Sequence, residues 1–256
     1  MDLGFKGKTV VITGGTKGIG SGISEVFAQE GANLIIDYRS NKENSSEDFI
    51  QSLRDKYGVE AYGIQQDLAQ SDCAKNIFDF AEEKFGHLDV LINNAGGSNE
   101  SSEIQDITLE QWNEALVNNV TQYFLMCSEF AKRMIAANRK GSIVNVLSKA
   151  SMTTTTKGRA CYVTNKTAQL GLTRQLAVDL SQYGIVVNGV MPGSVMNQRM
   201  AKRDEQYMAE RVKRMPLGKI NEPVEIGYYV AWLASEKNQV SVGAGADATG
   251  GMLLGF

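Results

Sequence analysis

The chain has 256 residues, of which 43% are hydrophobic, and its formal net charge at pH 7 is -3. This length is enough for one large α/β domain or two small ones. The lysines and arginines are dispersed through a mildly acidic chain, which argues against a nucleic-acid surface. We find no run of ~18 apolar residues and no signal-peptide pattern, so we expect no membrane span and a cytoplasmic protein.

Cysteine and histidine usage limits the possible chemistry. Cys73, Cys127 and Cys161 are widely spaced and form no CxxC pair, so the sequence predicts neither a disulfide framework nor a metal site. The single histidine, His87, lies just before an apolar run, where a turn residue is the ordinary interpretation. No G-x-S-x-G elbow is present, which argues against a serine nucleophile activated by this histidine.

Short β-branched runs alternate with longer amphipathic segments from one end of the chain to the other. The runs predict strands near 8–13, 33–37, 60–65, 89–93, 142–147, 185–191 and 244–249. The amphipathic segments predict helices near 18–29, 45–57, 72–85, 109–138, 162–182 and 223–235. The alternation, without an intervening linker, predicts one doubly wound α/β domain over residues 1–256. Its mostly parallel seven-stranded sheet should carry helices on both faces.

An excursion at about 193–219 separates the sixth predicted strand from the last helix. A connection of this length is more often a functional lid than a simple loop, so we predict a substrate lid here. Its methionines would ordinarily pack a helix, although flexible thioethers also suit a pocket that closes over an apolar ligand.

A glycine-rich turn, "TGGTKGIG", follows the first predicted strand and contains Gly14, Gly18 and Gly20. Glycines at such a turn let the backbone bend sharply and approach a diphosphate, which then faces the N-terminus of the next helix. The spacing is G-x-x-x-G-x-G rather than G-x-G-x-x-G, and a glycine motif alone is weak evidence.

Tyr162 lies four residues before Lys166 within a predicted helix, so both side chains should share one face. An ammonium beside the phenol would stabilise the phenolate and make a general acid and base that works near neutral pH. The same spacing recurs at Tyr38 and Lys42, in a loop after the second strand and without a serine partner. We interpret that second pair as surface or adenosine-facing.

Taken together, these motifs resemble those of the short-chain dehydrogenases/reductases over essentially the whole chain. The shared motifs occur in the family's order: "TGGTKGIG", Asp67, "NNAG" at 93–96, Ser148, the Tyr162 and Lys166 pair, "MPG" at 191–193 and "PLGKINEPVEI" at 216–226. The resemblance implies a Rossmann fold, a nicotinamide cofactor and reversible hydride transfer between a secondary alcohol and a ketone.

The resemblance also implies a set of cofactor contacts. Asp67 would hold the adenine, and the adenosine ribose side would be lined by Asn94, Ala95 and Gly96. The nicotinamide would be flanked by Pro192, Gly193 and Val195. Asn197 stands where the family usually has threonine, and an amide there could still bind the nicotinamide carboxamide. The full expected set is Gly14, Thr16, Lys17, Gly18, Ile19, Gly20, Tyr38, Arg39, Ser40, Asp67, Leu68, Asn94, Ala95, Gly96, Tyr162, Lys166, Pro192, Gly193, Val195 and Asn197.

Four residues are implied for catalysis. Ser148, at the end of a strand, would polarise the substrate oxygen, Tyr162 would carry the proton, and Lys166 would hold the cofactor ribose and stabilise the phenolate. In the family register Asn119, rather than its neighbour Asn118, would hold a water that relays protons from Lys166. Two asparagines inside a long helix also disfavour regular i to i-4 hydrogen bonding. The spacing from Ser148 to Tyr162 is one residue longer than is usual in the family. The extra residue would change the shape of the loop between them, which would face the substrate.

Two signals disagree about the cofactor. Asp37 lies 19 residues after Gly18, a distance that favours NAD. In the family register, however, the NAD-selecting acid falls at Tyr38 and is followed by Arg39 and Ser40, which suit a 2'-phosphate. Lys17 is a second basic residue of the kind that NADP-preferring members often show. We therefore predict that NADP(H) is preferred, with NAD possible.

Several functions remain open at this point. Secondary alcohols or ketones in general, 3-oxoacyl carriers, glucose-like sugars and hydroxysteroids are all candidate small-molecule substrates. A dinucleotide-sensing regulator is the non-enzymatic alternative, although both Tyr162 and Lys166 are present. The apolar tail "GGMLLGF" and the resemblance predict a homodimer or homotetramer built on helices 109–138 and 162–182.

Overall fold

A computed structural model of the protein describes residues 2–97, 102–198 and 200–253, and within these ranges seven strands form one sheet. The strands are β1 (Thr9–Ile12), β2 (Asn33–Tyr38), β3 (Ala61–Gln65), β4 (Val90–Asn93), β5 (Gly141–Val146), β6 (Ile185–Pro192) and β7 (Gly245–Ala248). They lie in the order β3-β2-β1-β4-β5-β6-β7, and every neighbouring pair is parallel. The predicted doubly wound α/β fold is confirmed.

Eight α-helices lie within the described ranges. They are α1 (Ile19–Gln29), α2 (Ser45–Tyr57), α3 (Cys73–Phe85), α4 (Leu109–Leu116), α5 (Gln122–Ala136), α6 (Ala160–Ser181), α7 (Glu205–Val212) and α8 (Pro223–Ala234). Side chains alternate across β1, so Val10 and Ile12 pack with α1, α2 and α8, whereas Val11 packs with α3, α5 and α6 on the opposite face. Burial on both faces explains why the central strands β1 and β4 are mostly apolar.

Two helical features differ from the simple pattern. The segment predicted as one helix at 109–138 is interrupted by a π-helical turn at Val117–Thr121, which separates α4 from α5. Asn118 and Asn119 lie in this turn, where the regular hydrogen-bond ladder is interrupted. The excursion at 193–219 contains α7, which begins after Asp204, whose carboxylate accepts a hydrogen bond from the Tyr207 N–H at 2.7 Å.

The strand order reverses between β1 and β4, and this reversal creates a crevice beyond the carboxyl ends of the strands. Thr13 follows β1 and joins the two sides: its hydroxyl oxygen accepts hydrogen bonds from the N–H groups of Asn94 and Ala95 at 3.0 and 3.1 Å. The glycine turn and the "NNAG" motif, about eighty residues apart in sequence, therefore form one wall.

Among the described helices, none is both long and apolar enough to cross a membrane. Within the same ranges, no group of three His, Cys, Asp or Glu side chains is arranged to hold a metal ion. The last three residues of the apolar tail, 254–256, on which the expectation of an oligomer partly rested, lie outside the described residues.

Candidate active site

A cavity of about 880 Å³ opens at the crevice. One end, the glycine-turn end, is lined by Gly14, Lys17, Gly18, Ile19, Asp37, Arg39, Asp67 and Leu68. The other, the Tyr162 end, is lined by residues that include Glu114, Asn118, Arg159, Tyr162, Lys166, Gly193, Val195, Asn197 and Arg211. Asn94, Ala95 and Gly96 also line the cavity. The fold thus brings the sequence motifs to one surface.

The glycine turn has the shape that a diphosphate requires. Gly14 and Gly18 have positive φ angles of 60° and 55°, which glycine adopts without strain. A Cβ atom on Gly20 would lie only 2.2 Å from the carbonyl oxygen of Gly14, so a larger residue would push the turn and α1 apart. No side chain caps α1, whose N-terminal residues Gly18 and Ile19 line the cavity. Phosphate groups bind at helix ends of this kind.

Asp37 is the buried acid of the glycine-turn end and is only 1% exposed. Its Oδ2 accepts a hydrogen bond from the Gly14 N–H at 3.1 Å, and its Oδ1 has no partner among the described residues. Burial, with a further contribution from the charge of Asp67, raises the pKa of Asp37 to about 7. The buried carboxyl group of Asp37 therefore stabilises the glycine turn through its hydrogen bond with Gly14.

Lys17 and Arg39 line the same end and are the two basic side chains predicted there. The side chain of Tyr38, between Asp37 and Arg39, does not line the cavity, and its phenol donates a hydrogen bond to Glu47 Oε1 at 2.6 Å. Burial, together with the Glu47 carboxylate, raises the pKa of Tyr38 to about 12. The expected cofactor contacts that do not line the cavity are Thr16, Gly20, Tyr38, Ser40 and Pro192.

The loops after β3 and β4 also border the glycine-turn end of the cavity. Asp67 Oδ1 accepts a hydrogen bond from the Ala69 N–H at 3.1 Å, which shapes the loop, and Leu68 lines the cavity beside it. The Asn94 amide donates to the carbonyl oxygens of Thr13 and Gly14, each at 3.0 Å. Asn94 thus ties its own loop to the glycine turn.

Tyr162 and Lys166 lie one turn apart in α6 and both line the cavity. Lys166 is only 5% exposed, and its Nζ donates a hydrogen bond to the carbonyl oxygen of Val146 at 3.1 Å. Burial lowers the pKa of Lys166 to about 7, well below its ordinary value of 10.5. An amine with such a pKa can gain or lose a proton near neutral pH.

Ser148 directly follows Val146 and Leu147, which line the cavity, but it is not itself part of the lining. Its Oγ accepts a hydrogen bond from the Ala150 N–H at 3.1 Å and caps a short 3-10 turn at Lys149–Ser151. A hydroxyl oxygen that accepts one bond still has its proton to donate. The predicted role of Ser148 in polarising a substrate oxygen remains a prediction.

Asn119 is fully engaged by its surroundings. Its Oδ1 accepts from the Gly97 N–H at 2.9 Å, and its Nδ2 donates to the carbonyl oxygens of Gly97 and Ala115 at 3.2 and 2.8 Å. Its own main-chain carbonyl accepts from Gln169 Nε2 at 3.0 Å. Asn118, not Asn119, lines the cavity. The predicted water relay through Asn119 remains a prediction.

The sequence model that describes short chain dehydrogenases matches residues 8–208 of this chain. The chain therefore belongs to the short chain dehydrogenase family. This short chain dehydrogenase is 29% identical over 249 residues to glucose 1-dehydrogenase 2 of Bacillus subtilis, covering 97% of this chain and 95% of that one. It is 30% identical over 252 residues to the 3-oxoacyl-[acyl-carrier-protein] reductase of Aquifex aeolicus, covering 98% and 100%.

The fold of this short chain dehydrogenase also matches that of L-sorbose reductase from Gluconobacter frateurii, solved in complex with NADPH and L-sorbose. The TM-score is 0.92 at 26% identity, and the match covers 100% of both chains. The names of these relatives give glucose, a 3-oxoacyl-[acyl-carrier-protein] or L-sorbose as the substrate, so family membership supports oxidoreductase activity without selecting one substrate.

Three residues of this short chain dehydrogenase were not singled out from the sequence. Arg159 precedes α6, and its guanidinium carbon lies 4.9 Å from the centroid of the Tyr162 ring. Its position three residues before Tyr162, a helical spacing, could have revealed it. Arg211 on α7 and Tyr123 on α5 reach the site region only through tertiary packing, and nothing in their local sequence indicates this.

Proposed function

We propose that this protein is an NADP(H)-preferring oxidoreductase that interconverts a secondary alcohol and a ketone, with Tyr162 as the acid and base. The observation that carries the proposal is the shared cavity: Tyr162 and Lys166 line the same space as the glycine turn at the N-terminus of α1. A dinucleotide oxidoreductase requires a phosphate-binding turn and a proton donor that border one continuous space.

Each residue has a defined task in this proposal. A bound nicotinamide cofactor supplies the hydride for reduction or accepts it in oxidation. In the reduction direction, Tyr162 donates its phenolic proton to the substrate oxygen as the carbonyl carbon becomes a carbinol carbon; in oxidation, the phenolate takes the alcohol proton. Ser148 donates a hydrogen bond to the same oxygen, and Lys166 stabilises the phenolate and binds the cofactor ribose.

The glycine-turn end would hold the adenosine and diphosphate. Gly14, Gly18 and Ile19 line the cavity at the start of α1, where main-chain groups would bind the diphosphate, and Asp67, which also lines this end, would hold the adenine. Among the described residues only one oxygen of Asp37 accepts a hydrogen bond, from the Gly14 N–H, whereas Arg39 and Lys17 present cations to the cavity. A 2'-phosphate would satisfy these cations, and this supports NADP(H) over NAD(H).

The excursion at 193–219 would act as the substrate lid, since Asn197, Met200 and Arg211 line the Tyr162 end from this segment.

We also propose a homodimer or homotetramer formed through the α5 and α6 surfaces. Phe124 on α5 and Val178 on α6 support this, because their side chains are 52% and 70% exposed.

The function is tested by following nicotinamide absorbance with a panel of ketones, sugars, hydroxysteroids and 3-oxoacyl thioesters. Tyr162→Phe keeps the ring but removes the proton, so we expect turnover to fall by about a hundredfold or more while cofactor affinity changes little. Near-normal turnover in this variant would overturn the assignment. Tight NADPH binding with no turnover across the panel would instead favour a dinucleotide-sensing protein.

A further inference from the structure

Asp37 is a buried acid at the end of β2 that borders the space proposed for the cofactor. Its Oδ2 accepts a hydrogen bond from the Gly14 N–H at 3.1 Å. Its Oδ1 is buried and has no hydrogen-bond partner among the described residues. A buried charge is costly when one of its oxygens lacks a donor, and a proton on the unpartnered oxygen removes that cost.

The titratable groups that face Asp37 do not offset a negative charge on it. Asp67, in the loop after β3, lines the same end of the cavity, and its charge opposes the ionisation of Asp37. Tyr38 is the next residue in β2, and Cys73 begins α3. Burial raises the pKa of Tyr38 to about 12 and that of Cys73 to about 11, so both side chains are neutral near pH ~7.

Two cations border the same space. Arg39 follows Asp37 by two residues, and both line the cavity, whereas Tyr38 between them does not. Lys17, in the glycine turn, lines this end as well. Among the described residues, the Asp37 carboxyl group accepts no hydrogen bond from either cation. A carboxylate at Asp37 would repel a phosphate held by these cations, and a neutral carboxyl group would not.

We propose that Asp37 is a proton-linked determinant of cofactor choice. Its neutral form admits a cofactor that carries a 2'-phosphate, and its ionised form disfavours that cofactor relative to one with a free 2'-hydroxyl. The inference rests on the proposed function, in which Arg39 and Lys17 face the 2'-phosphate, and goes beyond it by making the preference for NADP(H) depend on pH. It also reconciles the two sequence signals, since the acid and the cations favour different cofactors.

The direction of the pH dependence follows from linkage. Burial, with a further contribution from Asp67, raises the pKa of Asp37 to about 7, so the protein without cofactor changes between the two forms near neutral pH. A bound phosphate opposes the ionisation of Asp37 further, so binding takes up a proton. The contribution of Asp37 to NADP(H) affinity is therefore most favourable below about pH 6 and is lost as the pH rises through about 7.

Calorimetric titration with NADP+ and with NAD+ measures this coupling without turnover. The protein is titrated at about pH 7.5 in PIPES and in Tris, which differ in ionisation enthalpy, so that the difference in heat gives the number of protons taken up. A phosphate monoester loses its second proton at about pH 6, so the cofactor itself contributes little at this pH. We expect uptake of about 0.3 to 0.7 proton with NADP+ and less with NAD+.

Asp37→Asn is the deciding variant, because it keeps an acceptor for the Gly14 N–H and stays neutral. At about pH 8.5 we expect it to bind NADP+ about threefold to thirtyfold more tightly than the wild type, and at about pH 6 within about twofold. It should take up no proton. Asp72→Asn is the matched control, since Asp72 precedes α3, is exposed and does not line the cavity. This control should keep the wild-type uptake.

Steady-state kinetics provide a second measurement. The ratio of kcat/KM with NADPH to kcat/KM with NADH cancels the pH dependence of steps that both cofactors share. From about pH 6 to 8.5, we expect this ratio to fall in the wild type relative to Asp37→Asn by about threefold to thirtyfold.

The outcomes separate this proposal from the proposed function. The proposal is overturned if the wild type takes up no proton with NADP+, a result that needs no variant, or if Asp37→Asn takes up as much as the wild type. Failure of the wild type to bind NADP+ overturns it as well. Proton uptake that Asp37→Asn abolishes, together with no turnover of any ketone or alcohol, contradicts only the proposed function.

Discussion

Lys166 and Tyr123 donate hydrogen bonds to one acceptor, the carbonyl oxygen of Val146, at 3.1 and 2.9 Å. The Lys166 nitrogen also lies 5.8 Å from the centroid of the Tyr123 ring. This shared carbonyl at the end of β5 holds the amine beside the cavity. Because Tyr123 would continue to donate if the amine were removed, Lys166 is not required to satisfy Val146.

Replacing Lys166 with methionine should separate activity from stability. We expect Lys166→Met to lower turnover by about a hundredfold or more, since the amine that stabilises the phenolate in the proposed function would be lost. The free energy of unfolding should not fall, because the variant buries an apolar chain in place of a desolvated amine. Steady-state kinetics and urea unfolding measure the two effects.

Tyr123→Phe is the matched control for that variant. It removes the other donor to Val146, so we expect a loss of about 1 kcal/mol in the free energy of unfolding and a much smaller loss of turnover. If Lys166→Met instead destabilised the protein and Tyr123→Phe abolished turnover, the roles of the two residues would have to be exchanged.

Cofactor preference should depend on Arg39. We expect the wild type to have a higher kcat/KM with NADPH than with NADH, and Arg39→Asp to lower that ratio by about tenfold or more, because it replaces a cation with an anion at the 2'-phosphate. Lys42→Asp is the control, since Lys42 is exposed and does not line the cavity. A wild type that favours NADH by about tenfold would indicate that Asp37 governs the site.

Asp37 should make stability depend on pH. Its pKa is raised from 3.8 to about 7 in the folded protein, so the folded state holds a proton that the unfolded state releases. Its contribution to stability is therefore fully present below about pH 4 and is lost as the pH rises to about 7, by up to about 4 kcal/mol. Asp37→Asn, which stays neutral, should remove this dependence. Urea unfolding of both proteins from pH 4 to 8 tests this, and parallel profiles would contradict it.

The oligomer should depend on the exposed apolar side chains of α5 and α6. Light scattering at micromolar concentration should give a dimer or tetramer mass for the wild type, and Val178→Asp should shift it towards the monomer. Tyr228 on α8 is 50% exposed and lies on the opposite face of the sheet, so Tyr228→Asp is the control. A monomer mass for the wild type would contradict the proposal, and disruption by Tyr228→Asp alone would move the interface to α8.

The alternation of strands and helices could be predicted from the sequence because each element carries its own hydrophobic period. All seven strands of the described sheet were predicted, with ends that lie within one residue of those in the structure. Asn118 and Asn119 indicate from the sequence that regular hydrogen bonding is disturbed in the helix predicted at 109–138. The sequence does not indicate that the disturbance takes the form of a π-helical turn. The sequence does not predict helix α7, since this largely polar segment lies within the predicted lid.

The motifs at Gly14 to Gly20, Asn94 and Tyr162 determined the family by themselves, because their residue types and order are local properties of the chain. The tertiary structure alone decided which way each side chain points. Tyr38 and Arg39 are neighbours in sequence, yet Tyr38 hydrogen-bonds Glu47 while Arg39 lines the cavity, since successive side chains at a strand end face opposite directions. The contacts of Lys166 with Val146 and of Asp37 with Gly14 likewise join residues about twenty positions apart in sequence, and only the packed sheet and helices bring them together.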